Sequence, residues 1–73
     1  MKQKQGPWMN GLRDAQVREY KTQIELALRV GSAQSTISLI EAGFMRPSRR
    51  LAVEICDFLN VGLLETFPLG VKP

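Results

Sequence analysis

A single glycine, Gly31, separates two segments whose apolar side chains recur at helical spacing. Before the glycine, Leu26 and Val30 fall on one side of a helix, and after it Ile37 and Ile40 do the same. Two helices joined through so short a link cross at a steep angle, which is the geometry of a helix-turn-helix unit. The spacing therefore predicts two short helices that pack against each other around this glycine.

Capping residues mark where these two helices begin and end. Thr22 is placed to cap the first of them, and Glu25 completes a capping box. Gly31 is expected to end that helix in the left-handed conformation, and Gly43 to end the next one. The run SAQST after Gly31 puts short hydrogen-bonding side chains at the start of the next helix, where they can face a ligand or water.

Helical patterns account for the rest of the chain, and no strand pattern competes with them. Pro47 ends a basic loop, Ser48 is placed to cap the following helix, and Pro68 stops the last one. We therefore predict an all-α fold of five helices, at 11–20, 23–30, 33–42, 48–59 and 62–66. The residues expected to face its core include Leu12, Ala15, Ala27, Ala52, Ile55, Cys56, Leu59 and Phe67.

The predicted helices make one small domain between two tails. The start of the chain is polar and is broken by Gly6 and Pro7, so we expect a flexible tail from which Trp8 can pack back onto the domain. Met9 is an alternative natural start. The predicted division is an N-terminal tail at 1–10, the domain at 11–68 and a C-terminal tail at 69–73.

Composition limits the chemistry that the chain can perform. A domain of 73 residues has a small core and little room for an enzyme cleft. The sequence has no histidine and one cysteine, so neither a zinc site, which needs about four such ligands, nor a Ser–His or Cys–His pair can be assembled. We therefore predict no catalytic residues, no metal, no cofactor and no small-molecule ligand.

Charge and hydropathy bear on the partner and the compartment. The net charge of +3 favours a polyanionic partner, although only weakly. No apolar run of about 18 residues is present, so we expect no membrane span. The first residues lack the apolar stretch of a signal peptide, and a lone cysteine fits a reducing compartment. These features predict a cytoplasmic protein.

The run from Thr22 to Gly43 resembles the Cro/CI-like (XRE, lambda-repressor-like) helix-turn-helix family of phage and bacterial regulators. Segments 12–17 and 46–61 are similar to the first and fourth helices of that family, so the resemblance covers residues 12–67. It implies a compact five-helix DNA-binding domain whose helices 2 and 3 form the helix-turn-helix. The family's pattern is met at Gln23, Leu26, Ala27, Gly31, Gln34, Ser35, Thr36, Ile37, Glu41 and Gly43.

The resemblance also implies which side chains contact double-stranded DNA. Gln23 matches a position that usually holds a backbone phosphate, and Gln34 and Ser35 match positions that usually read bases. Glutamine pairs well with adenine, and serine with either kind of base. The plainer alternative is a helix start that faces water. The DNA-binding residues predicted in this way are Gln23, Gln34, Ser35, Thr36, Ser38, Leu39, Arg46 and Arg49.

The sequence departs from the family pattern at several positions. Ala33 stands where Ser or Thr is frequent, so Ser32 is the alternative cap of the third helix. Tyr20 stands where the family usually has glycine. Gln16 replaces a common arginine opposite Glu41, which leaves the Gln16 amide or Arg13 as partner of that carboxylate. 

Two functions remain open at this point. The first is a sequence-specific DNA-binding transcription regulator, a repressor that binds a palindromic site as a homodimer. The alternative is an antitoxin-like or protein-interaction module that keeps the fold with weak or no DNA binding, which the apolar Leu39 on the third helix favours. Candidates for a dimer interface are Phe58, Leu63 and Leu64.

Overall fold

The computed structural model describes residues 6–72, and within them the only strand-like pairing is an isolated parallel bridge between Ser48 and Lys72. The predicted all-α fold of five helices is confirmed, and each helix begins and ends within two residues of its predicted bounds. The helices are α1 Leu12–Arg18, α2 Gln23–Val30, α3 Gln34–Glu41, α4 Arg49–Leu59 and α5 Leu63–Thr66.

The core lies where α2 packs on α3 and α4. Ile37 and Ile40 anchor α3 in it, and both side chains are fully buried. Burial of a side chain of this size is worth about 1.5–3 kcal/mol, so α3 is held firmly with its other face outward. Val30, predicted on the same stripe as Leu26, is only half-buried against the core. The other predicted core residues are buried, namely Leu12, Ala15, Leu26, Ala27, Ile37, Ile40, Ala52, Ile55, Cys56, Leu59 and Phe67.

Four of the helices end in the same way, at a residue with positive φ. Tyr20, Gly31, Gly43 and Asn60 follow α1 to α4 with φ of 56°, 68°, 82° and 56°. In each case the next residue donates its backbone N–H to the carbonyl five positions earlier, which satisfies a free carbonyl of the last turn. The predicted left-handed end at Gly31 is confirmed. Tyr20 carries the same conformation with a Cβ, which is strained for an L-residue.

The helix starts divide into capped and uncapped ones. The predicted capping box of α2 is confirmed, since the backbone N–H of Glu25 donates to the Thr22 hydroxyl at 3.0 Å and the reciprocal bond is also 3.0 Å. Ser48 caps α4 as predicted. The N-cap of α3 is Ala33, and no side chain caps this helix. Ser32 therefore does not act as its cap, because it lies one residue too early.

The N-terminal segment of the described chain lies along the end of α3. The backbone N–H of Gly6 donates to the carbonyl of Ala42, and that of Trp8 to the carbonyl of Gly43, both at 2.8 Å. The Asn10 amide donates to a carbonyl in the last turn of α3 at 2.7 Å. Of the flexible tail predicted at 1–10, residues 1–5 lie outside the described chain, whereas residues 6–10 dock on the domain because they complete the hydrogen bonding of α3.

The C-terminal segment also returns to the domain. The backbone N–H of Lys72 donates to the carbonyl of Pro47 at 2.9 Å, and Val71 packs against the core. The tail predicted at 69–73 thus contacts the loop between α3 and α4, as far as residue 72.

Candidate nucleic-acid interface

The exposed face of α3 carries most of the residues predicted to contact DNA. Because Ile37 and Ile40 face the core, the opposite side of the helix is open to solvent. Leu39 is 43% exposed, and Thr36 is half-buried at the edge of this face. The polar side chains exposed there are short and can approach another surface closely. They are Gln34, Ser35 and Ser38.

The start of α2 and the first turns of α3 share one shallow depression. It is open to solvent, has a volume of about 300 Å³, and is lined by Gln23, Gln34, Ser35 and Ser38. The structure therefore brings these four predicted residues together, although they come from two helices. Arg46 and Arg49 do not line the depression; they lie in the loop after α3 and in the first turn of α4.

A chain of side-chain hydrogen bonds connects this depression to the interior. The Gln34 amide nitrogen donates to the Gln23 amide oxygen at 3.2 Å, and the Gln23 amide nitrogen donates to a carboxylate oxygen of Glu41 at 3.0 Å. The same oxygen of Glu41 accepts from Gln16 at 2.5 Å. We call these four side chains the amide network.

The direction of the amide network is set by its carboxylate. An ionised carboxylate only accepts hydrogen bonds, so the NH2 group of Gln23 must point at Glu41 and its oxygen must point at Gln34. With the Gln23 oxygen placed in this way, one N–H of Gln34 donates a hydrogen bond to it. Each of these amides has two N–H groups, and the network uses one of each. Within residues 6–72, the second N–H of both residues and the Gln34 oxygen have no hydrogen-bond partner.

The two partners expected for Glu41 are resolved by the structure. Gln16 is 5% exposed and supplies the hydrogen bond, so the amide rather than Arg13 occupies the place of the family's arginine. Sequence reasoning missed the second donor, Gln23, which was assigned to phosphate alone. Its position directly after the Thr22 cap, as the first residue of α2, is a signal for a phosphate contact but gives no sign of the carboxylate.

The N-terminus of α3 has backbone N–H groups that nothing in the described part of the chain satisfies. The N–H groups of Thr36 and Ile37 donate to the Ala33 carbonyl. Those of Gln34 and Ser35 have no backbone or side-chain acceptor within residues 6–72, and both residues are exposed. A helix end of this kind attracts anions, because its free N–H groups and its dipole both favour negative charge.

The arginines of the following loop differ in their environments. Arg46 is half-buried, with its guanidinium carbon 4.2 Å from the centroid of the Trp8 ring. Arg49 is exposed in the first turn of α4. Arg50 makes an exposed ion pair with Glu54, Nε to Oε1 3.6 Å, one helical turn on.

The dimer candidates from the sequence also differ from one another. Leu64 is 78% exposed, whereas Leu63 is half-buried against the core. The Phe58 ring is half-buried beneath two cations, with Lys21 Nζ at 5.3 Å and the Arg29 guanidinium carbon at 5.6 Å from its centroid. Of the three, Leu64 alone offers a large apolar side chain to a partner.

The described residues offer little for other kinds of site. Cys56 is buried, and desolvation raises the pKa of its thiol above the ordinary value, which disfavours the reactive thiolate. Within residues 6–72, no group of three acidic, Cys or His side chains is arranged to hold a metal ion. None of the helices described is long and apolar enough to pass through a bilayer.

Comparison with known proteins identifies the family. A family model described as Helix-turn-helix matches residues 15–65, a span that contains α2, α3, α4 and the whole amide network. A search of curated proteins gives no match. The matched span covers most of the chain and includes the two helices whose crossing was predicted from Gly31. The chain therefore belongs to the Cro/CI-like (XRE-type) helix-turn-helix family of DNA-binding transcription regulators.

Proposed function

We propose that this protein is a sequence-specific regulator that reads double-stranded DNA by placing α3 in the major groove. The observation that carries the proposal is the amide network, which orients Gln34 on the exposed first turn of that helix. The major groove is wide enough for an α-helix, and helices of this motif contact base edges through their N-terminal residues.

Gln34 is the proposed reader of an adenine. Its free oxygen would accept from the N6 amino group while its second N–H donates to N7, which is the usual bidentate pairing of glutamine. Ser35 and Ser38 flank it and can bond to either kind of base. Leu39 can contact a thymine methyl, and Thr36 can add a contact at the edge of the face.

Backbone phosphates are the proposed partners of the remaining groups. The second N–H of Gln23 and the free N–H groups at the start of α3 are donors of the kind that bind phosphate. Arg46 and Arg49 would add charge contacts that do not depend on sequence.

We propose that the regulator acts as a homodimer on a palindromic site, in the cytoplasm with the DNA. Proteins of this motif read two half-sites about one helical turn apart, which requires two-fold symmetry in the protein. The exposed Leu64 is one candidate contact between the two copies. Repression is the proposed outcome, because occupying an operator needs no more than DNA binding. No cofactor or small-molecule ligand is part of this proposal.

A second candidate function is a protein-interaction or antitoxin-like module. It is favoured by large exposed apolar side chains, notably Leu28 on α2 and Leu39 on α3. Under this alternative, replacing Leu39 would abolish the binding of a partner protein, while Gln34 would have no effect on any DNA.

Selection of bound sequences from random DNA tests the proposal. We expect the recovered sites to show two-fold symmetry. Gln34→Ala should relax the preference at one position of each half-site, at a cost of roughly 1–3 kcal/mol in discrimination there. Leu28→Ala, which removes an exposed side chain outside the depression, is the matched control and should leave the base preference and the affinity for DNA unchanged. Equal binding of the wild type to selected and scrambled DNA would contradict sequence-specific reading.

A further inference from the structure

The N-terminal strap, residues 6–10, brings an aromatic ring to one of the loop arginines. The Arg46 guanidinium carbon lies 4.2 Å from the centroid of the Trp8 ring. Trp8 lies outside residues 15–65, the span that matches the family model. We propose that Trp8 is a positioning residue that presents Arg46 to a DNA phosphate.

The strap is fixed to the end of α3 by the close approach of two glycines. A Cβ on Gly43 would lie 3.0 Å from the Gly6 carbonyl oxygen and 3.2 Å from the Trp8 carbonyl carbon and oxygen. A Cβ on Gly6 would overlap the Gly43 carbonyl group. Two chain segments can therefore meet here only as bare backbone. The hydrogen bond from the Trp8 backbone N–H to the Gly43 carbonyl then fixes the position of the Trp8 backbone, from which the ring extends.

The backbone of Arg46 is restrained as well as its side chain. Pro47 follows it and restricts the backbone of Arg46 to extended conformations. The Pro47 carbonyl accepts a hydrogen bond from the Lys72 backbone at 2.9 Å, which ties the loop to the C-terminal segment. Arg49, by contrast, is exposed. Arg46 is thus the arginine of this region whose backbone and side chain are both restrained.

Contact with the ring leaves the guanidinium group able to bind an anion. A guanidinium group that meets an aromatic ring through its flat face keeps its in-plane N–H donors, and these can make paired bonds to phosphate. A free arginine side chain loses much rotamer freedom when it binds. Because Trp8 already restricts Arg46, less freedom is lost on contact with DNA. The inference rests on the proposed DNA binding.

A double-mutant cycle on DNA affinity tests the coupling between the two residues. The probe is a duplex carrying the sequence recovered by selection, with the same duplex scrambled as a second probe. Trp8→Ala should weaken binding to both duplexes by about two- to fivefold, as expected for a cation–π contact. In the Arg46→Ala background, Trp8→Ala should have no further effect. An equal loss in both backgrounds would mean that Trp8 acts through the fold alone and would overturn the inference.

Two further variants separate the aromatic ring from the strap. Trp8→Phe keeps a ring face under Arg46 and should retain most of the affinity. If Trp8→Phe is as weak as Trp8→Ala, the stacking explanation is wrong. Met9→Ala is the matched control, since Met9 is the exposed neighbour on the same strap, and it should bind like the wild type. Thermal unfolding of every variant shows whether any loss of affinity follows a loss of stability.

Failure of the inference can be told apart from failure of the proposed function. If the wild type binds neither duplex, the DNA-binding proposal fails and this one with it. If the wild type binds but the cycle shows no coupling, only the role of Trp8 is overturned. Trp8 is the sole tryptophan, so its fluorescence reports the stack in the free protein. Arg46→Ala should shift that emission without DNA, and an unchanged spectrum would contradict the contact.

Discussion

The Gln23 amide nitrogen lies 3.0 Å from a carboxylate oxygen of Glu41, across the junction between the start of α2 and the end of α3. This contact decides which end of the Gln23 amide faces Gln34, because a carboxylate accepts and does not donate. A half-buried acid thereby sets the orientation of an exposed side chain, Gln34, that it does not touch.

Glu41→Gln should loosen this orientation while keeping the shape of the side chain. A second amide can donate as well as accept, so Gln23 and Gln34 would both be free to turn over. We expect weaker discrimination at the base pair read by Gln34, by up to about 1–3 kcal/mol, with little change in affinity for scrambled DNA. Titration against duplexes that differ at that pair measures the effect. Glu65→Gln, on an exposed acid of α5, is the control, and unchanged discrimination would refute the orienting role.

Gln16→Arg should be neutral or stabilising. The guanidinium group would add a positive charge and a second donor beside Glu41, and paired bonds between arginine and a carboxylate are among the stronger hydrogen bonds in proteins. Thermal unfolding of the variant is the measurement. A clear fall in the melting temperature would show that the buried site of Gln16 has no room for the longer side chain.

Tyr20→Gly should stabilise the domain. Tyr20 adopts φ of 56° with a side chain that is 92% exposed, so glycine relieves strain and removes almost no packing. We expect a gain of about 1 kcal/mol, or roughly 4–8 °C in melting temperature for a domain of this size. Asn60→Gly, at the same φ, is the matched control. Its gain should be smaller because asparagine tolerates this conformation, and equal gains would argue against relief of strain at Tyr20.

Ala33→Ser should add the missing cap of α3. A serine hydroxyl at this position can accept from the backbone N–H of the first turn, and such caps are worth about 1 kcal/mol. Chemical denaturation measures the gain as a higher midpoint. Ser32→Ala provides the comparison, since Ser32 does not cap the helix and its loss should leave the midpoint unchanged. A fall on Ser32→Ala would mean that it supports α3 in another way.

Cys56 should make stability fall at alkaline pH. Burial raises the pKa of its thiol above the ordinary value of 9.0, so the unfolded chain loses the thiol proton first. The contribution to stability is complete below that value and is lost as pH rises towards the pKa in the folded protein. Unfolding free energies measured between about pH 7 and pH 10 should decline less in Cys56→Ala than in the wild type. If the unfolding free energies of the two proteins fall in parallel as pH rises, Cys56 is not the cause of the decline.

Local signals explain why the helices could be predicted so closely. Thr22 and Ser48 satisfy N–H groups within their own first turns, and Gly31 supplies a conformation that its own lack of a Cβ allows. Such effects act over a few residues and are therefore visible in the sequence. Tyr20 was not foreseen as a left-handed helix end, because nothing in the residue itself favours that conformation.

Long-range contacts account for what the sequence did not reveal. The docking of the strap depends on Gly6 meeting Gly43, and two distant glycines leave no periodic pattern. The resemblance to the family predicts a partner for Glu41 on α1, either Gln16 or Arg13, and the structure has Gln16. The bond from Gln23 to the same acid depends on how α2 and α3 cross, which the sequence does not show. The assignment of bases and phosphates to these side chains remains a prediction.

The strap covers one end of the α3 helix dipole and leaves the other end open. Residues 6–10 donate hydrogen bonds to the carbonyl groups of Ile40, Ala42 and Gly43, which form the negative pole of the helix. At the N-terminus of α3, no group within residues 6–72 accepts a hydrogen bond from the backbone N–H of Gln34 or Ser35. A polyanion beside α3 is therefore attracted to the N–H groups at the N-terminus of the helix, while the strap covers the carbonyl groups at its C-terminus that would repel it. The backbone creates this difference between the two ends, since Glu41 is the one charged residue in α3.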